Sequence, residues 1–233
     1  MTEETSGLSR SVEDYLKAIY ALCGAGTVAS TSSIADALDV QPASVTGMVK
    51  RLAESGFLEH VPYRGVQLTD LGTIEALRVL RRHRILESYL TQRLGYRWED
   101  VHREAERLEH AASDELVERM ARALENPSHD PHGAPIPTSA GEIETTDSYN
   151  LGELSPGVEA QVRAVRDDHA EALKGVEDAG LLPGTRVMVL GRDFQERVVR
   201  VEVGAAGTVV MDVPFEVAHR VYVVTRHLGL GEG

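Results

Sequence analysis

Apolar and polar positions along the first 70 residues follow the pattern of three helices and two short strands. Apolar residues recur every three or four positions between Ser11 and Cys23, which is the spacing of one buried helix face. A short helix is predicted from Ile34 to Leu38, and a third begins with Pro42 at its first position. Two extended pieces follow, at 57–61 and 66–68, joined by a glycine-containing turn. The order predicts a helix-turn-helix with a β-hairpin wing.

The middle of the chain is predicted to be helical. A long helical pattern covers 70–94, and two shorter ones cover 98–110 and 113–124. Their apolar residues exceed what one small lobe can bury, so we expect a homodimer interface on these helices.

The composition and the pattern of the sequence change after residue 126. Prolines, glycines and small polar residues concentrate in 126–157, which predicts a linker or an irregular covering segment. Valine-rich alternating strands then follow, with one helix at 168–180, and this pattern predicts a small β-barrel. The fold class is therefore mainly α with a small β domain. The predicted domains are 1–75, 76–142 and 158–233, with a linker at 143–157.

Composition narrows the class of protein. The net charge of −13 argues against indiscriminate binding of polyanions, so contact with nucleic acid needs a local basic face. The single cysteine, Cys23, excludes a disulfide framework, a cysteine zinc site and an iron–sulfur cluster. No apolar run approaches the roughly 20 residues of a membrane span, and the N-terminus lacks the apolar core of a secretory signal. We expect a cytoplasmic protein without a membrane partner.

The helix-turn-helix and wing predict binding to double-stranded DNA, with the third helix in the major groove. The residues expected to face bases lie at the start and on the outer face of that helix: Gln41, Pro42, Ser44, Thr46, Gly47 and Lys50. Those expected to reach phosphates are Thr31, Ser32, Arg51 and Arg64. Because positive charge is sparse, a dimer on a palindromic operator is favoured over a monomer. The alternative is a domain that uses the same fold for protein contacts.

Two imidazoles and two carboxylates share one face of the predicted helix 98–110, namely His102, Glu106, Glu109 and His110. His83 and Glu87 repeat the i, i+4 spacing on the preceding helix. The alternative is a solvated face whose glutamates pair with Arg103 and Arg107, which leaves the histidines unexplained. Two such faces on adjacent helices favour a metal site.

Enzyme motifs are missing from the sequence. It has no H-E-x-x-H, G-x-S-x-G, P-loop or G-x-G-x-x-G motif, and Cys23 lies on an apolar helix where packing is its expected role. We therefore expect no enzymatic activity.

Six segments together resemble the diphtheria-toxin-repressor family of metal-dependent transcriptional regulators. They match in order and spacing over residues 11–137: VEDYLKAIY (12–20), 34–52, YRGVQLT (63–69), RHRILE (82–87), 101–110 and DPHGAPIP (130–137). The resemblance implies a winged helix, a helical dimerisation domain with two metal sites, and an SH3-like C-terminal barrel.

The resemblance also implies ligands. The family's primary metal site corresponds to Asp14, Glu106, Glu109 and His110. The ancillary site corresponds to His83, Glu87 and His102, with a barrel side chain, His169 or Glu171, completing it.

Two of these ligand positions imply which metal the family member binds. Iron-type members carry Met and Cys where this chain has Asp14 and Glu106, whereas manganese-type members carry Asp and Glu. Hard oxygen donors suit Mn²⁺, so Mn²⁺ is favoured and Fe²⁺ is the alternative. Short manganese regulators have a glutamate where this chain has Lys17, so their two-metal primary site is not expected here.

The implied function is repression of metal-uptake genes by a metal-activated homodimer. One alternative is an Fe²⁺-dependent regulator of iron uptake. The other is a metal sensor that acts through protein partners without an operator.

Overall fold

A computed structural model describes residues 8–23, 27–61, 63–145, 147–166, 170–204 and 209–225. The helices and strands are, in chain order, α1 (Arg10–Leu22), α2 (Thr31–Leu38), α3 (Pro42–Glu54), β1 (Leu58–Val61), β2 (Gly65–Leu68), α4 (Asp70–Leu94), α5 (Val101–Leu108), α6 (Asp114–Ala123), β3 (Tyr149–Asn150), β4 (Glu159–Val165), α7 (Ala170–Asp178), β5 (Arg186–Asp193), β6 (Val198–Val203), β7 (Val209–Pro214), α8 (Phe215–Ala218) and β8 (Val221–Thr225).

The chain divides into two compact units, and α4 contributes to both. The first unit comprises Met1–His83, Arg107–Glu118 and Pro137–Ile143. The second comprises Arg84–Glu106, Arg119–Ile136 and Glu144–Gly233. Among the described helices, none combines the length and the apolar character needed to cross a membrane.

The first unit contains the predicted helix-turn-helix and wing. Its core is formed by apolar side chains of the first three helices, of which the most buried are Leu16, Ile19, Ile34, Val45 and Leu52. In the wing, β1 pairs antiparallel with β2, and Ala29 forms an isolated bridge to Val66. Gly65 has a φ of 134°, and a Cβ there would lie 2.2 Å from the Ala29 carbonyl oxygen. Glycine is therefore required where the wing meets residue 29.

The helix starts differ from the predicted ones by a residue or more. α1 begins at Arg10 after Ser9, rather than at Ser11. α2 begins at Thr31 because Ser30 and Ser33 form a reciprocal capping box. A run of serines and threonines offers several possible caps, and only the backbone geometry selects one. Pro42 occupies the first turn of α3 as predicted.

The second unit is built on an antiparallel sheet with the order β3-β8-β4-β5-β6-β7. Valines on alternate positions fill its core together with Leu173 and Val176 of α7 and Ala218 of α8. Within the described residues, the end strands β3 and β7 do not pair, so the predicted small β domain is confirmed but its sheet is open. Since β3 has only two residues, it offers little edge for closure.

The segment predicted as a linker at 143–157 contributes to this sheet domain. It contains β3, and Leu151 and Leu154 are buried in the sheet's core. The Leu151 amide also donates to the Val221 carbonyl. Two leucines among glycines and polar residues carry little periodic signal, which is why the sequence suggested a linker.

α5 is shorter than the predicted helix 98–110. Residues 98–100 form a turn before it, in which the Trp98 indole Nε1 donates to the Pro131 carbonyl at 3.0 Å and the ring lies 4.9 Å from that of His132. Its C-terminal end at Leu108 leaves Glu109 and His110 in the following turn. These two ligand candidates are therefore oriented by a turn rather than by a continuous helix.

Candidate metal centre

Three potential metal ligands come together in the first unit. Asp14 lies on α1, while Glu109 and His110 follow α5, and one ligand atom of each lies within 4.8 Å of the others. His110 Nε2 is 2.9 Å from Asp14 Oδ1 and 3.3 Å from Glu109 Oε1. Two carboxylates and an imidazole are a donor set for a divalent cation of hard or borderline character. We call Asp14, Glu109 and His110 the primary cluster.

Glu109 is almost completely buried, at 1% exposure, and two positive or proton-donating groups compensate it. Lys17 Nζ donates to Oε1 at 2.6 Å, and His83 Nδ1 lies 2.5 Å from Oε2. Burial acts to raise the pKa of Glu109, but the hydrogen bonds and charges of His83 and Lys17 outweigh it, so the pKa is lowered. The Glu109 carboxylate is therefore ionised at neutral pH, and a metal that binds it competes with Lys17 and His83.

Glu13, which the sequence analysis did not select, holds the ring of His110. Glu13 Oε2 lies 2.6 Å from His110 Nδ1, and its other oxygen accepts from Arg82. With Nδ1 directed to Glu13, Nε2 is the ring nitrogen that faces Asp14 and Glu109, and it is the atom that would bind a metal. A carboxylate that orients a ligand histidine in this way is a common second partner in metal sites. The sequence signal for this role of Glu13 was its position next to Asp14 in an acidic pair.

A second group of metal-ligating side chains lies in the second unit. Glu87, Asp130 and His132 are buried, and each offers a ligand atom within 4.8 Å of the others. His102 Nδ1 also lies 3.0 Å from Glu87 Oε1. Glu87 and His102 were predicted as ligands from the sequence, whereas Asp130 and His132 were not. Their signal was the DPHG sequence, in which an acidic residue and a histidine flank a proline.

The turn at residues 130–134 orients this second group. Asp130 Oδ1 accepts from the backbone amides of His132 at 2.8 Å and Ala134 at 3.0 Å. His132 Nε2 lies 2.9 Å from the Trp98 carbonyl oxygen. Because a carbonyl only accepts, Nε2 carries the proton and Nδ1 of a neutral ring has the lone pair. Nδ1 is 3.9 Å from Glu87 Oε2, so the imidazole is oriented for a ligand shared with that carboxylate.

The remaining predicted ligands are placed as follows. Glu106 is half exposed in the second unit, where it pairs with His102 at 3.4 Å, and it is not part of the primary cluster. His83 is the last residue of the first unit, one turn before Glu87 on α4. Glu171 is exposed in the first turn of α7. His169 lies outside the described residues.

All ten residues predicted to contact DNA are exposed. They lie on the first turn of α2, at the start and on the outer face of α3, and in the wing: Thr31, Ser32, Gln41, Pro42, Ser44, Thr46, Gly47, Lys50, Arg51 and Arg64. Lys50 pairs with Glu54 at 3.9 Å at the surface, an ion pair that costs little to break. The exposed face of α3 is therefore sterically available to a groove.

Three family models match the chain in sequence. The model described as "Iron dependent repressor, N-terminal DNA binding domain" matches residues 7–66. "Iron dependent repressor, metal binding and dimerisation domain" matches 69–138, and "FeoA domain" matches 149–225. Together they cover both ligand groups and the sheet.

Curated relatives match along most of their length. The iron-dependent repressor IdeR of Mycobacterium tuberculosis is 33% identical over 191 residues, which is 77% of this chain and 83% of IdeR. The diphtheria toxin repressor of Corynebacterium glutamicum is 32% identical over 214 residues, 87% of this chain and 92% of that protein.

Solved structures of similar proteins match over about nine-tenths of this chain. A manganese-dependent transcriptional repressor in complex with manganese has a TM-score of 0.84 at 34% identity, covering 92% of this chain and 99% of that one. The repressor ScaR with bound Cd²⁺ has a TM-score of 0.77 at 33% identity, covering 91% and 98%. Relatives named as iron-dependent and relatives named as manganese-dependent thus both match this chain.

Proposed function

The chain belongs to the iron-dependent repressor family, a family of metal-responsive DNA-binding transcriptional regulators, and from this premise we propose that it is a homodimeric repressor of metal-uptake genes activated by Mn²⁺. The observation that carries the proposal is the primary cluster. Asp14 is on the first helix of the DNA-binding segment, whereas Glu109 and His110 belong to the metal-binding and dimerisation segment.

A divalent cation bound to the primary cluster joins these two segments. A divalent cation supplies two positive charges that Asp14 and Glu109 share. Simultaneous ligation by α1 and by the turn after α5 restrains the position of α1, and with it α3. The active state is favoured only if it binds the metal more tightly than the inactive state does. Asp14→Asn and Glu109→Gln keep side-chain volume but weaken ligation, so both should abolish metal-dependent DNA binding.

Metal-dependent DNA binding is tested by fluorescence anisotropy. Labelled DNA selected from a random pool is titrated with the full-length protein, with Mn²⁺ or with a chelator. We expect strong binding only with Mn²⁺, on a palindromic site, with a log-log salt slope of about −0.9 for each phosphate contacted. Glu115→Ala, an exposed change on α6, should leave this response intact. Equal binding with chelator would refute the proposal.

The proposed preference for Mn²⁺ rests on Asp14 and Glu106, both oxygen donors. The family resemblance implies Glu106 as a further ligand, whereas in this structure its carboxylate pairs with His102. Changing Asp14 to Met and Glu106 to Cys together should lower the Fe²⁺ concentration for half-maximal DNA binding relative to that of Mn²⁺, because hard donors are removed and a thiolate is added. A wild-type protein that ignores Mn²⁺ and responds only to Fe²⁺ would identify an iron regulator instead.

We propose a second metal site in each protomer, centred on Glu87. His102 contacts Glu87, and His83 precedes it by one helical turn, as in the ancillary set expected from the sequence. Asp130 and His132 are buried and each places a further potential ligand atom within 4.8 Å of one on Glu87. Isothermal titration should therefore give two Mn²⁺ per protomer, and one after Glu87→Gln. One Mn²⁺ in the wild type would refute the second site.

A further inference from the structure

Gly47 lies at the centre of the exposed face of α3. Val45 and Val49 are buried in the core of the first unit. At about 100° per residue, Gly47 lies about 160° around the helix from each of them. A Cβ built on Gly47 would meet no atom within 4 Å. The fold therefore provides room for a side chain that this residue does not have.

No packing contact explains this glycine. Of the glycines within helices that the structure describes, Gly72 on α4 would place a Cβ 2.1 Å from the Phe57 carbonyl oxygen, and Gly175 on α7 would place one 3.0 Å from Val217. Gly72 is required by close packing against backbone, and a Cβ at Gly175 would force the Val217 side chain to shift. Glycine inside an exposed helix is less stable than alanine because it loses more backbone entropy on folding. Gly47 therefore lowers the stability of α3 and gains no packing contact among the residues that the structure describes.

The residues next to Gly47 project little from the helix surface, and a long cationic side chain follows one turn later. Ala43 lies one turn earlier, and the Thr46 hydroxyl donates to the Pro42 carbonyl of its own helix at 3.1 Å. Lys50, one turn later, is exposed and carries a long cationic side chain. The exposed face of α3 is thus shallow at its centre and has a cation beside it. Such a face suits a double-stranded polyanion that approaches the helix backbone closely.

We propose that Gly47 marks the closest approach of α3 to the DNA, where the absence of a side chain lets the helix backbone lie deep in the major groove. This inference rests on the proposed DNA-binding function. Depth in the groove brings Lys50 towards the base edges and Arg51 within reach of a phosphate, and phosphate contacts position the helix. The base pair opposite Gly47 is then sensed through the fit of the backbone rather than through a side chain reaching its edge.

The test compares Gly47→Ala with the wild type in the full-length protein. Because alanine is the better helix former, the melting temperature should rise by about 1–4 °C. Affinity for wild-type-selected DNA in Mn²⁺ should fall by about tenfold or more, comparable to one mismatched contact. Mn²⁺ affinity, measured by calorimetry, should not change. Gly47→Leu, also a good helix former, should weaken DNA binding further.

Gly72→Ala is the matched control, because the same change at a packed glycine should lower the melting temperature. A stabilised Gly47→Ala protein that binds DNA within twofold of the wild type would overturn the inference, as would destabilisation by Gly47→Ala. If the wild type selects no DNA in the presence of metal, the proposed function itself fails. If the wild type binds and Gly47→Ala changes nothing, only the role of Gly47 fails.

Discussion

Replacing Lys17 by methionine should destabilise the metal-free protein and increase its stabilisation by metal. Lys17 Nζ donates to Glu109 Oε1 at 2.6 Å, and Glu109 is 1% exposed. Methionine retains most of the apolar stem of lysine but removes the ammonium. The buried carboxylate then keeps the contact with His83 but loses its nearest permanent cation.

The expected loss follows from the contact that is removed. A hydrogen bond to a charged group contributes about 1.5–3 kcal/mol, and removing one partner of a buried ion pair costs about 3–5 kcal/mol. Because Lys17 is 21% exposed and His83 still contacts Glu109, we expect the lower range, about 1.5–3 kcal/mol. For a chain of this length, that corresponds to a fall in melting temperature of about 3–12 °C.

Metal should restore more stability to Lys17→Met than to the wild type. In the wild type, a cation that binds Glu109 competes with the Lys17 ammonium, whereas in the variant it does not. Ligand that binds only the folded state at about 100 times its Kd contributes about 2.7 kcal/mol, and tighter binding contributes more. Thermal unfolding with chelator and with a Mn²⁺ series measures both effects.

Lys50→Met is the matched control for this prediction. Lys50 is 78% exposed and its ion pair with Glu54 is 3.9 Å long, so its loss should cost less than about 1 kcal/mol. Equal melting temperatures for metal-free wild type and Lys17→Met would refute the reasoning. So would equal stabilisation of the two proteins by Mn²⁺.

Further predictions concern the glutamate that contacts His110, the pH dependence of stability, and two loop glycines. Glu13→Gln should weaken Mn²⁺ binding by about 10–100-fold in calorimetry, because the ring of His110 loses its anionic partner; unchanged affinity would contradict this role. Since the pKa of Glu109 is lowered by folding, its contribution to stability is present above its unfolded pKa of about 4.3 and is lost as the pH falls through the lower folded value. Urea unfolding of the metal-free protein between about pH 5 and pH 3 should show this loss, and Glu109→Gln should reduce it; identical pH dependence of the two proteins would count against the assignment. Gly133→Ala should cost about 2–4 kcal/mol in urea unfolding, because φ is 85° and a Cβ would lie 2.2 Å from a carbonyl oxygen. Gly157→Ala, with φ of 82° and open space, should cost about 1 kcal/mol, and equal costs would show that the contact is unimportant.

The primary cluster shows what a sequence resemblance contributes to a site and what it leaves out. Asp14, Glu109 and His110 were expected as ligands before the structure, and the structure brings their atoms together. The contacts of Glu13 with His110 and of Lys17 with Glu109 were not predicted, because helical spacing indicates which residues share a face but not which charged group of another element lies opposite. The pairing of Lys17 with Glu109 joins residues 92 positions apart.

The sequence by itself determined the elements whose signals are local. The bounds of α4 and the start of α3 agree with the prediction because apolar periodicity and a proline at the first turn act within one segment. The tertiary structure alone decided the position of β3 beside β8, the burial of Leu151 and the contact of the DPHG turn with Trp98. Each of these depends on contacts between segments distant along the chain, for which a one-dimensional pattern carries no direct signal.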